Sequence, residues 1–283
     1  LPVMLGQLFW ADAIHAPIPS DVGTFGMVGA KLIRKKLFVR YCGNWFIIKT
    51  KAEQFWRWFM ERNAEGRNVM FTTGGADEAP SKKTNNIHWI FSSSMSMEEI
   101  NSLKKEPKPL DSNNIKLVIV CRLHKEKGIS HCIKAVANMK AKYPGISLTV
   151  VGGGSYIKEL QELASDLNVT DNIYFTGKVG HDDVIRHVSS CDIFTFPTTS
   201  SEGFPKAVLE ALACGLPVIS TKVSVLPTLI REGGGMLLDN ANEHELAEKI
   251  EYLITHPNEY KTMQLKVLII SFLACKEMHK FPI

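Results

Sequence analysis

The sequence predicts an α/β protein built from parallel strands that are buried between helices. In the second half of the chain, strand-like runs alternate regularly with helical patterns. These strands are nearly continuous apolar runs, which is typical of a sheet covered on both faces. The length of 283 residues, 45% of them hydrophobic, also leaves room for two domains.

The hydrophobic periods predict the elements in chain order. In the first half we expect strands at residues 12–15 and 37–41 with a helix at 26–36 between them, then a helix at 51–62 and a strand at 68–72. In the second half we expect strands at residues 115–120, 147–151, 172–176, 192–196, 217–221 and 235–238. The helices expected between and after them are at residues 129–142, 157–167, 183–190, 206–214, 226–231 and 243–255. Residues 102–114 are rich in Lys, Pro and Asn and show no period, so we interpret them as a linker between domains.

Composition excludes several classes of protein. The net charge is +4 and no long run of one charge occurs, so nucleic acid is not an expected partner. The six cysteines are scattered without a Cys-x-x-Cys pair, which predicts reduced, buried thiols and no zinc site. No run is long enough to span a membrane and no signal peptide opens the chain, so we expect a cytoplasmic location. The start at Leu1 instead of Met indicates a fragment.

The segment from Glu202 to Glu210 is the most informative motif. Pro205 suits the first turn of a helix and Gly215 its C-terminal stop, so a helix follows directly on a buried strand. The N–H groups in the first turn of such a helix can bind an anion at the carboxyl edge of the sheet. The two carboxylates are eight positions apart and can accept hydrogen bonds from hydroxyls on either side of that anion. A diphosphate with a sugar on one side and a ribose on the other would fit this spacing.

A second pair of charged residues, Arg122 and Lys127, follows the strand at 115–120 and precedes a helix. Both residues would therefore point to the same edge of the sheet. An arginine fork and a lysine ammonium group together can bind phosphate oxygens and stabilise a leaving diphosphate without a metal ion. The simpler interpretation, two solvated charges in a surface turn, becomes less attractive once the Glu202 segment is taken into account.

These motifs give the chain its family resemblance. The segment from Glu202 to Glu210 resembles the Glu-x7-Glu motif of the retaining nucleotide-sugar glycosyltransferases of group 1. Residues 120–128 resemble the Gly-Arg-Leu-x-x-x-Lys-Gly turn of that family, with Cys121 at the position of the first glycine. Residues 150–154 resemble the strand-to-helix turn of the next unit.

The resemblance is strong over residues 115–256 and weak over residues 1–109. It implies the GT-B architecture, which has two Rossmann-like domains, with the N-terminal domain incomplete in this chain. We therefore expect residues 1–109 to form a partial acceptor-side domain with the linker, and residues 110–264 to form the domain that binds the donor. Residues 265–283 have no counterpart and form a tail of unclear structure.

The resemblance also implies roles for single residues. Arg122 and Lys127 would hold the diphosphate and Glu202 the hydroxyls of the donor sugar, and these three are the expected catalytic residues. The residues expected to bind the donor are Gly154, Val179, Gly203, Phe204, Pro205, Lys206 and Glu210, the last of them through the ribose diol. Members of this family react on one face of the sugar, with the departing phosphate taking the proton of the acceptor. Neither glutamate is then a nucleophile, and no cofactor or metal is expected.

Two other motifs have simpler interpretations. The glycines at residues 152–154 fail the G-x-G-x-x-G fingerprint because Ile157 stands at the third glycine position, which argues against a dinucleotide enzyme. His181 is followed by Asp182 and Asp183, a run that we interpret as the start of a helix and not as a ligand cluster.

The acceptor side carries weaker signals. His15 follows the first predicted strand, and Cys42 and Asn44 follow the second, where many relatives of the family carry a histidine in place of Cys42. The aromatic run at residues 55–60 has core-helix spacing, and we interpret it as core. Its alternative is a peripheral contact with the inner face of a membrane, which the nearby basic residues Lys31, Arg34, Lys35 and Lys36 would suit.

The expected function is transfer of a sugar from a nucleotide-diphosphate sugar to a hydroxyl of a glycan or a lipid-linked acceptor, in polysaccharide or cell-surface glycan synthesis. Two alternatives stay open. One is a nucleotide-sugar epimerase of the same fold, although no acid and base pair for the sugar ring carbon is evident. The other is a non-catalytic or truncated module that binds a nucleotide sugar.

Overall fold

The computed structural model describes residues 2–45, 48–73, 79–90, 95–103, 106–200, 205–223 and 226–278. They divide into two compact units. The first unit is the described part of residues 1–92, and the second is the described part of residues 93–200 and 205–283. Each unit contains one parallel sheet with helices between its strands, which confirms the predicted α/β class with two Rossmann-like domains.

The first unit has a four-stranded sheet in the order β1-β2-β3-β4, with every neighbouring pair parallel. Its elements are α1 (Pro2–Trp10), β1 (Ala13–Ile18), α2 (Asp21–Leu32), β2 (Lys36–Tyr41), α3 (Lys51–Asn63), β3 (Val69–Thr73) and β4 (Ile87–Ile90). Helix α1 and strand β4 were not among the predicted elements.

The helix predicted at residues 26–36 is found, but it is shifted towards the N-terminus. Helix α2 begins at Asp21 and ends at Leu32. Ser20 is the N-cap of α2, and its side-chain oxygen accepts a hydrogen bond from the Gly23 N–H at 3.0 Å. Glycines lower helix propensity, so the sequence pattern of this segment hides the helix. A Cβ at Gly23 would lie 1.9 Å from the Pro17 carbonyl oxygen, which explains why a glycine stands there.

The second unit has a six-stranded parallel sheet in the order β10-β9-β8-β5-β6-β7. Its strands are β5 (Lys116–Val120), β6 (Ser147–Val151), β7 (Ile173–Gly177), β8 (Ile193–Phe196), β9 (Val218–Thr221) and β10 (Gly235–Leu238). Its helices are α4 (Met97–Ser102), α5 (Ile129–Met139), α6 (Ile157–Asp166), α7 (His181–Ser189), α8 (Lys206–Ala213), α9 (Leu226–Leu229), α10 (Glu243–Thr255) and α11 (Pro257–Met278). Every strand predicted in this half is found within one residue of its expected bounds.

Both faces of the second sheet are buried, as its apolar strands predicted. Along β5, the side chains of Leu117 and Ile119 join one hydrophobic cluster, and Val118 joins the cluster on the opposite face. All three are fully buried. Burial of one such side chain stabilises the fold by about 1.5–3 kcal/mol, so the sheet forms a rigid base for the loops at its edges.

The division between the units lies upstream of the boundary expected at residue 109. Ile100 of α4 already packs against Ala213 of the second unit. Within the segment interpreted as a linker, the Lys108 N–H donates to Gln264 Oε1 of α11 at 3.0 Å. The sequence could not show this contact because the two residues are 156 positions apart.

The stretch from residue 265, expected to be an unclear tail, continues helix α11 up to Met278. Val267 and Ile270 are buried in the core of the second unit, which explains why the helix extends there. Residues 279–283 lie outside the described part of the chain.

Among the cysteines whose side chains are described, Cys42, Cys132 and Cys191 are free thiols. Cys132 and Cys214 are buried, and burial raises the pKa of Cys132 to about 12. Cys42 is exposed, contrary to the expectation of buried thiols, because it lies in the loop after β2 and not within a strand. Within the described ranges, we find no helix with the length and apolar character needed to cross a bilayer.

Candidate functional site

The strand order of the second sheet identifies one place where the loops after two neighbouring strands run to opposite sides. From β5 the chain adds β6 and β7 on one side, and it then returns to add β8, β9 and β10 on the other. The order therefore reverses at the parallel pair β5 and β8. In open α/β sheets, ligands bind at the carboxyl ends of the strands beside such a reversal. The predicted Arg122 and Lys127 lie in the loop after β5, at this reversal.

The turn after β5 is shaped by one glycine. A single 3₁₀ turn, Lys125–Lys127, precedes Gly128, whose φ of 74° is left-handed. A Cβ at Gly128 would lie 2.0 Å from the carbonyl oxygen of Pro197 in the loop after β8. Only glycine therefore permits the two loops to approach this closely.

The ammonium group of Lys127 is held between these two loops. Its Nζ donates a hydrogen bond to Ser200 Oγ at 3.0 Å, and Ser200 Oγ lies 3.0 Å from Thr198 Oγ1. Thr198 Oγ1 in turn donates to the Glu126 carbonyl oxygen at 3.0 Å. Lys127 is half-buried, whereas Arg122 is exposed. The network places one positive charge beside the strand reversal in a defined position, as binding of an anion requires.

Thr198 and Ser200 were not predicted as site residues. The sequence did contain a signal, because three hydroxyl residues, Thr198, Thr199 and Ser200, follow the buried strand after a single proline. Their partner Lys127 is 73 positions away from Ser200, so only the fold shows that they meet.

The glycine turn after β6 packs against the turn after β5. The Leu123 N–H donates to the Gly153 carbonyl oxygen at 3.0 Å, and the Tyr156 N–H to the Leu123 carbonyl oxygen at 3.2 Å. A Cβ at Gly154 would lie 2.3 Å from the same Leu123 oxygen. The tight packing of two turns accounts for Gly154, which was predicted to bind the donor.

Helix α8 begins as the motif predicted. Pro205 is its N-cap and is buried, and Lys206, the first helical residue, is exposed. At the other end Gly215 has a φ of 81°, and the N–H of Leu216 bonds back to the Ala211 carbonyl oxygen, which closes a left-handed glycine stop.

Glu210 is buried, at 7% exposure, within α8. Its Oε1 lies 3.8 Å from Nδ1 of His181, the first residue of α7. His181 also lies near Glu99, and hydrogen bonds from Ser96 together with His181 lower the pKa of Glu99. His181 was interpreted from the sequence as the simple start of a helix. The structure places its imidazole ring close to Glu210, the residue predicted to bind the ribose.

The remaining predicted donor residues are placed as follows. Val179 follows β7, is half-buried, and packs against the core cluster that contains Phe194. Glu202, Gly203 and Phe204 lie outside the described residues. The spacing between the two motif glutamates therefore stays a prediction.

The acceptor-side candidates all belong to the first unit. Cys42 and Asn44 follow β2, as predicted, and the N–H of Cys42 donates to the Ile18 carbonyl oxygen at 2.7 Å. His15 lies inside β1 and not after it, because β1 continues to Ile18. Its ring packs edge-on against Phe38 at 5.0 Å. Asn44 is buried and Cys42 is exposed.

The aromatic run in α3 is divided between core and surface. Phe59 and Met60 are buried, and Trp56 donates its indole N–H to Thr24 Oγ1 at 2.9 Å. Phe55 and Trp58 are exposed. No cluster of three or more His, Cys, Asp or Glu side chains able to hold a metal ion occurs in the described part of either unit.

The described chain forms two parallel α/β units, and in the second unit a lysine is fixed at the strand reversal. They correspond to the two Rossmann-like domains of GT-B glycosyltransferases. The family model for glycosyl transferases of group 1 matches residues 101–266, and the chain belongs to that family.

Curated relatives match between half and two thirds of the chain. One is the GDP-mannose-dependent alpha-(1-6)-phosphatidylinositol monomannoside mannosyltransferase of Mycolicibacterium smegmatis, 30% identical over 155 residues, which covers 52% of this chain and 41% of the relative. Another is an uncharacterized glycosyltransferase of Haemophilus influenzae, 29% identical over 191 residues, which covers 67% of this chain and 51% of the relative. The chain thus spans about half the length of these relatives or less.

Solved structures match both units. Anabaena HepE in complex with UDP has a TM-score of 0.76 at 18% identity, covering 99% of this chain and 81% of HepE. HepE in complex with UDP-glucose has a TM-score of 0.74 at 19% identity with the same coverage. At this identity the likeness shows the fold alone.

Proposed function

We propose that this chain binds a nucleoside-diphosphate sugar in its second unit and serves in retaining transfer of the sugar to a glycan or lipid-linked acceptor. The observation that carries the proposal is the ammonium group of Lys127, held by Ser200 at the reversal between β5 and β8. A fixed cation at the carboxyl edge of a parallel sheet suits the diphosphate of a nucleotide sugar.

In the proposed reaction, Lys127 and Arg122 hold the diphosphate and stabilise the negative charge that develops on it as the bond to the sugar breaks. Glu202 accepts hydrogen bonds from the sugar hydroxyls, and Glu210 from the ribose diol. The departing phosphate accepts the proton of the acceptor hydroxyl on the same face of the sugar. The chain then supplies position and charge and needs no metal ion for this step.

The identity of the donor is the finer part of the proposal. The mycobacterial relative is named for GDP-mannose, and the HepE structures hold UDP or UDP-glucose. The sequence matches favour a mannosyl donor and, as acceptor, a lipid-linked glycan. Selection between bases depends on a few hydrogen bonds in the pocket, so both nucleotides belong in the test.

The test is a calorimetric titration of the purified chain with UDP- and GDP-sugars, followed by an assay of donor hydrolysis. We expect binding of one nucleotide class and slow hydrolysis that Glu202→Ala abolishes while nucleotide binding remains. The matched control is Glu162→Ala, which removes an exposed glutamate from α6.

Each other outcome has a defined meaning. Binding without hydrolysis in the wild-type chain would identify a binding module that does not turn the donor over. A product that is the epimer of the donor sugar would identify an epimerase. Absence of binding to every nucleotide sugar would contradict the assignment of the site.

A further inference from the structure

A chain of hydroxyl groups crosses the carboxyl edge of the second sheet and reaches the ammonium group of Lys127. Two of its members, Thr198 and Ser200, lie in the loop after β8, and a third, Thr221, is the last residue of β9. Thr198 is fully buried and Thr221 is 5% exposed. The proposed reaction gives a role to Lys127 but none to these hydroxyl groups.

The hydrogen bonds of this chain all run in one direction, away from the ammonium group. Ammonium has no lone pair, so Lys127 Nζ is the donor to Ser200 Oγ at 3.0 Å. A carbonyl oxygen can only accept, so the Thr198 hydroxyl donates its one proton to the Glu126 carbonyl oxygen at 3.0 Å. Thr198 Oγ1 therefore accepts from the Ser200 hydroxyl at 3.0 Å and from the Ser200 N–H at 3.2 Å. Because the Ser200 proton points to Thr198, the lone pairs of the Ser200 hydroxyl face Lys127.

The loop after β8 fixes Lys127 at both ends. Ser200 binds the ammonium group, as described above. On the backbone side, the carbonyl oxygen of Glu126 accepts from the Thr198 hydroxyl and from the Thr199 N–H at 2.9 Å. A lysine side chain has a flexible four-carbon stem, and fixing both of its ends leaves it few rotamers. The side chain is thus ordered by folding, and less ordering remains to be done when a ligand binds.

Thr221 in turn holds the backbone of Thr198. Strands β8 and β9 are parallel with Phe196 opposite Ser220, so the end of β9 lies beside the start of the loop after β8. The Thr221 hydroxyl donates to the Thr198 carbonyl oxygen at 2.6 Å. The chain of contacts therefore runs from β9 through the loop after β8 to the loop after β5, across the strand reversal.

We propose that Thr198 is a positioning residue for the donor diphosphate and acts through Lys127. The Thr198 hydroxyl orients Ser200, and Ser200 holds the ammonium group at the place where it meets the phosphate oxygens. Thr221 supports the arrangement by fixing Thr198. This inference rests on the proposed function, because it requires that Lys127 binds the diphosphate.

The experiment is calorimetric titration of the full chain with UDP and with GDP. Thr198→Val replaces the hydroxyl with a methyl group and should raise the dissociation constant by about 2- to 10-fold, the effect of one long side chain that must be ordered on binding. Thr198→Ser keeps the hydroxyl and should bind within about twofold of the wild type. The matched control is Thr195→Val. Thr195 is also fully buried, and its hydroxyl donates to the Val118 carbonyl oxygen at 3.2 Å, so its loss should leave the dissociation constant within about twofold.

Two further variants separate positioning from a general effect on the fold. Ser200→Ala removes the partner of the ammonium group from a half-buried position and should raise the dissociation constant by a similar 2- to 10-fold, roughly, so the test does not depend on Thr198→Val folding. In a Lys127→Ala background, Thr198→Val should change the dissociation constant by less than about twofold, because the residue through which it acts is gone. A hydroxyl that only stabilises the loop would keep its full effect there.

The outcomes that overturn the inference are distinct from those that overturn the proposed function. Wild-type affinity in both Thr198→Val and Ser200→Ala would overturn the inference, as would an equal loss in Thr195→Val or in Thr198→Ser. An undiminished loss in the Lys127→Ala background would also overturn it. In each of these cases, weak binding by Lys127→Ala itself would leave the diphosphate site in place. Wild-type affinity in Lys127→Ala would contradict that site, and the inference with it.

Discussion

The two sheets of this protein differ in the order of their strands, and this difference determines where each carries its charged groups. The first sheet adds its four described strands in one direction, as β1-β2-β3-β4. The second starts at β5, extends to one side and then returns to extend to the other. Only a sheet that reverses in this way separates two neighbouring loops at its carboxyl edge.

In the second sheet, the loops after β5 and β8 contact each other at this reversal. Lys127, Thr198 and Ser200 meet there through hydrogen bonds of 3.0 Å. In the first sheet, the concentration of cations lies at the opposite, amino edge, at Lys36 and Arg67. The strand reversal thus accounts for the site of the second sheet, and the predictions on Gly128, Lys127 and His181 below test this account.

The largest effect is expected from Gly128→Ala. The added Cβ would meet the Pro197 carbonyl oxygen at 2.0 Å, in a left-handed conformation, and would force the two loops apart. Overpacking and backbone strain together should lower the free energy of unfolding by about 2–5 kcal/mol. Urea unfolding followed by circular dichroism measures it.

The control is Gly177→Ala at the end of β7. Gly177 has a similar φ of 70°, but nothing lies within 4 Å of its added Cβ. Its cost should be the backbone term alone, about 1–2 kcal/mol. Equal costs in the two variants would contradict a close contact between the loops.

Lys127→Ala should weaken binding of UDP or GDP by roughly 10- to 100-fold, because it removes a charged hydrogen bond to the diphosphate. Lys125→Ala, two residues earlier in the same turn, should change binding less than twofold, in the range of ordinary surface substitutions. The comparison is made by calorimetry. Normal affinity in Lys127→Ala would exclude this lysine from the phosphate site.

His181→Ala should raise the dissociation constant of the nucleotide by up to about fivefold, because His181 Nδ1 lies 3.8 Å from Glu210 Oε1 and the pair is partly exposed. We expect the loss only with ligands that carry a ribose diol. Titration with UDP or GDP and with their 2′,3′-dideoxy forms separates an effect on binding of the ribose diol from an effect on the fold. An equal loss for both forms would mean that His181 acts on the fold and not through Glu210.

The smallest effect concerns a contact of the second unit away from the site. The hydrogen bond from His131 Nδ1 to Glu243 Oε2, at 2.6 Å, lowers the pKa of Glu243 from 4.5 to about 2, with help from Lys134. A lowered pKa stabilises the folded state above pH 4.5, and that contribution is lost as the pH falls towards 2. Glu243→Gln should therefore lower the free energy of unfolding by up to about 1 kcal/mol at neutral pH.

The difference between wild type and Glu243→Gln should shrink as urea unfolding is repeated from pH 7 down to pH 3. A difference that does not change with pH would show that the carboxylate charge has no part in it.

Sequence reasoning was accurate where the signal is local. The strands around Val118 and Phe194 were predicted within one residue because continuous apolar runs are typical of a sheet buried on both faces. Helix α2 was misplaced because its glycines satisfy close contacts with Pro17 and Leu8, which no local pattern contains.

The same distinction applies to the site. The turn with Arg122 and Lys127 was predicted at the correct edge, because a strand followed by a helix defines it. The contribution of Ser200 was missed because it depends on a contact across 73 positions. The cations at the amino edge of the first sheet were seen only as a run from Lys31 to Lys36, because Arg67 joins them through the fold.

The most direct test of the reversal as the binding site is hydrogen–deuterium exchange of the full chain with and without UDP or GDP. We predict that the nucleotide protects backbone amides in residues 122–128 and 198–200, the two loops that leave β5 and β8. Amides at the amino edge of the first sheet, residues 34–37, should exchange at an unchanged rate. Protection at residues 34–37 without protection at residues 122–128 would contradict the account.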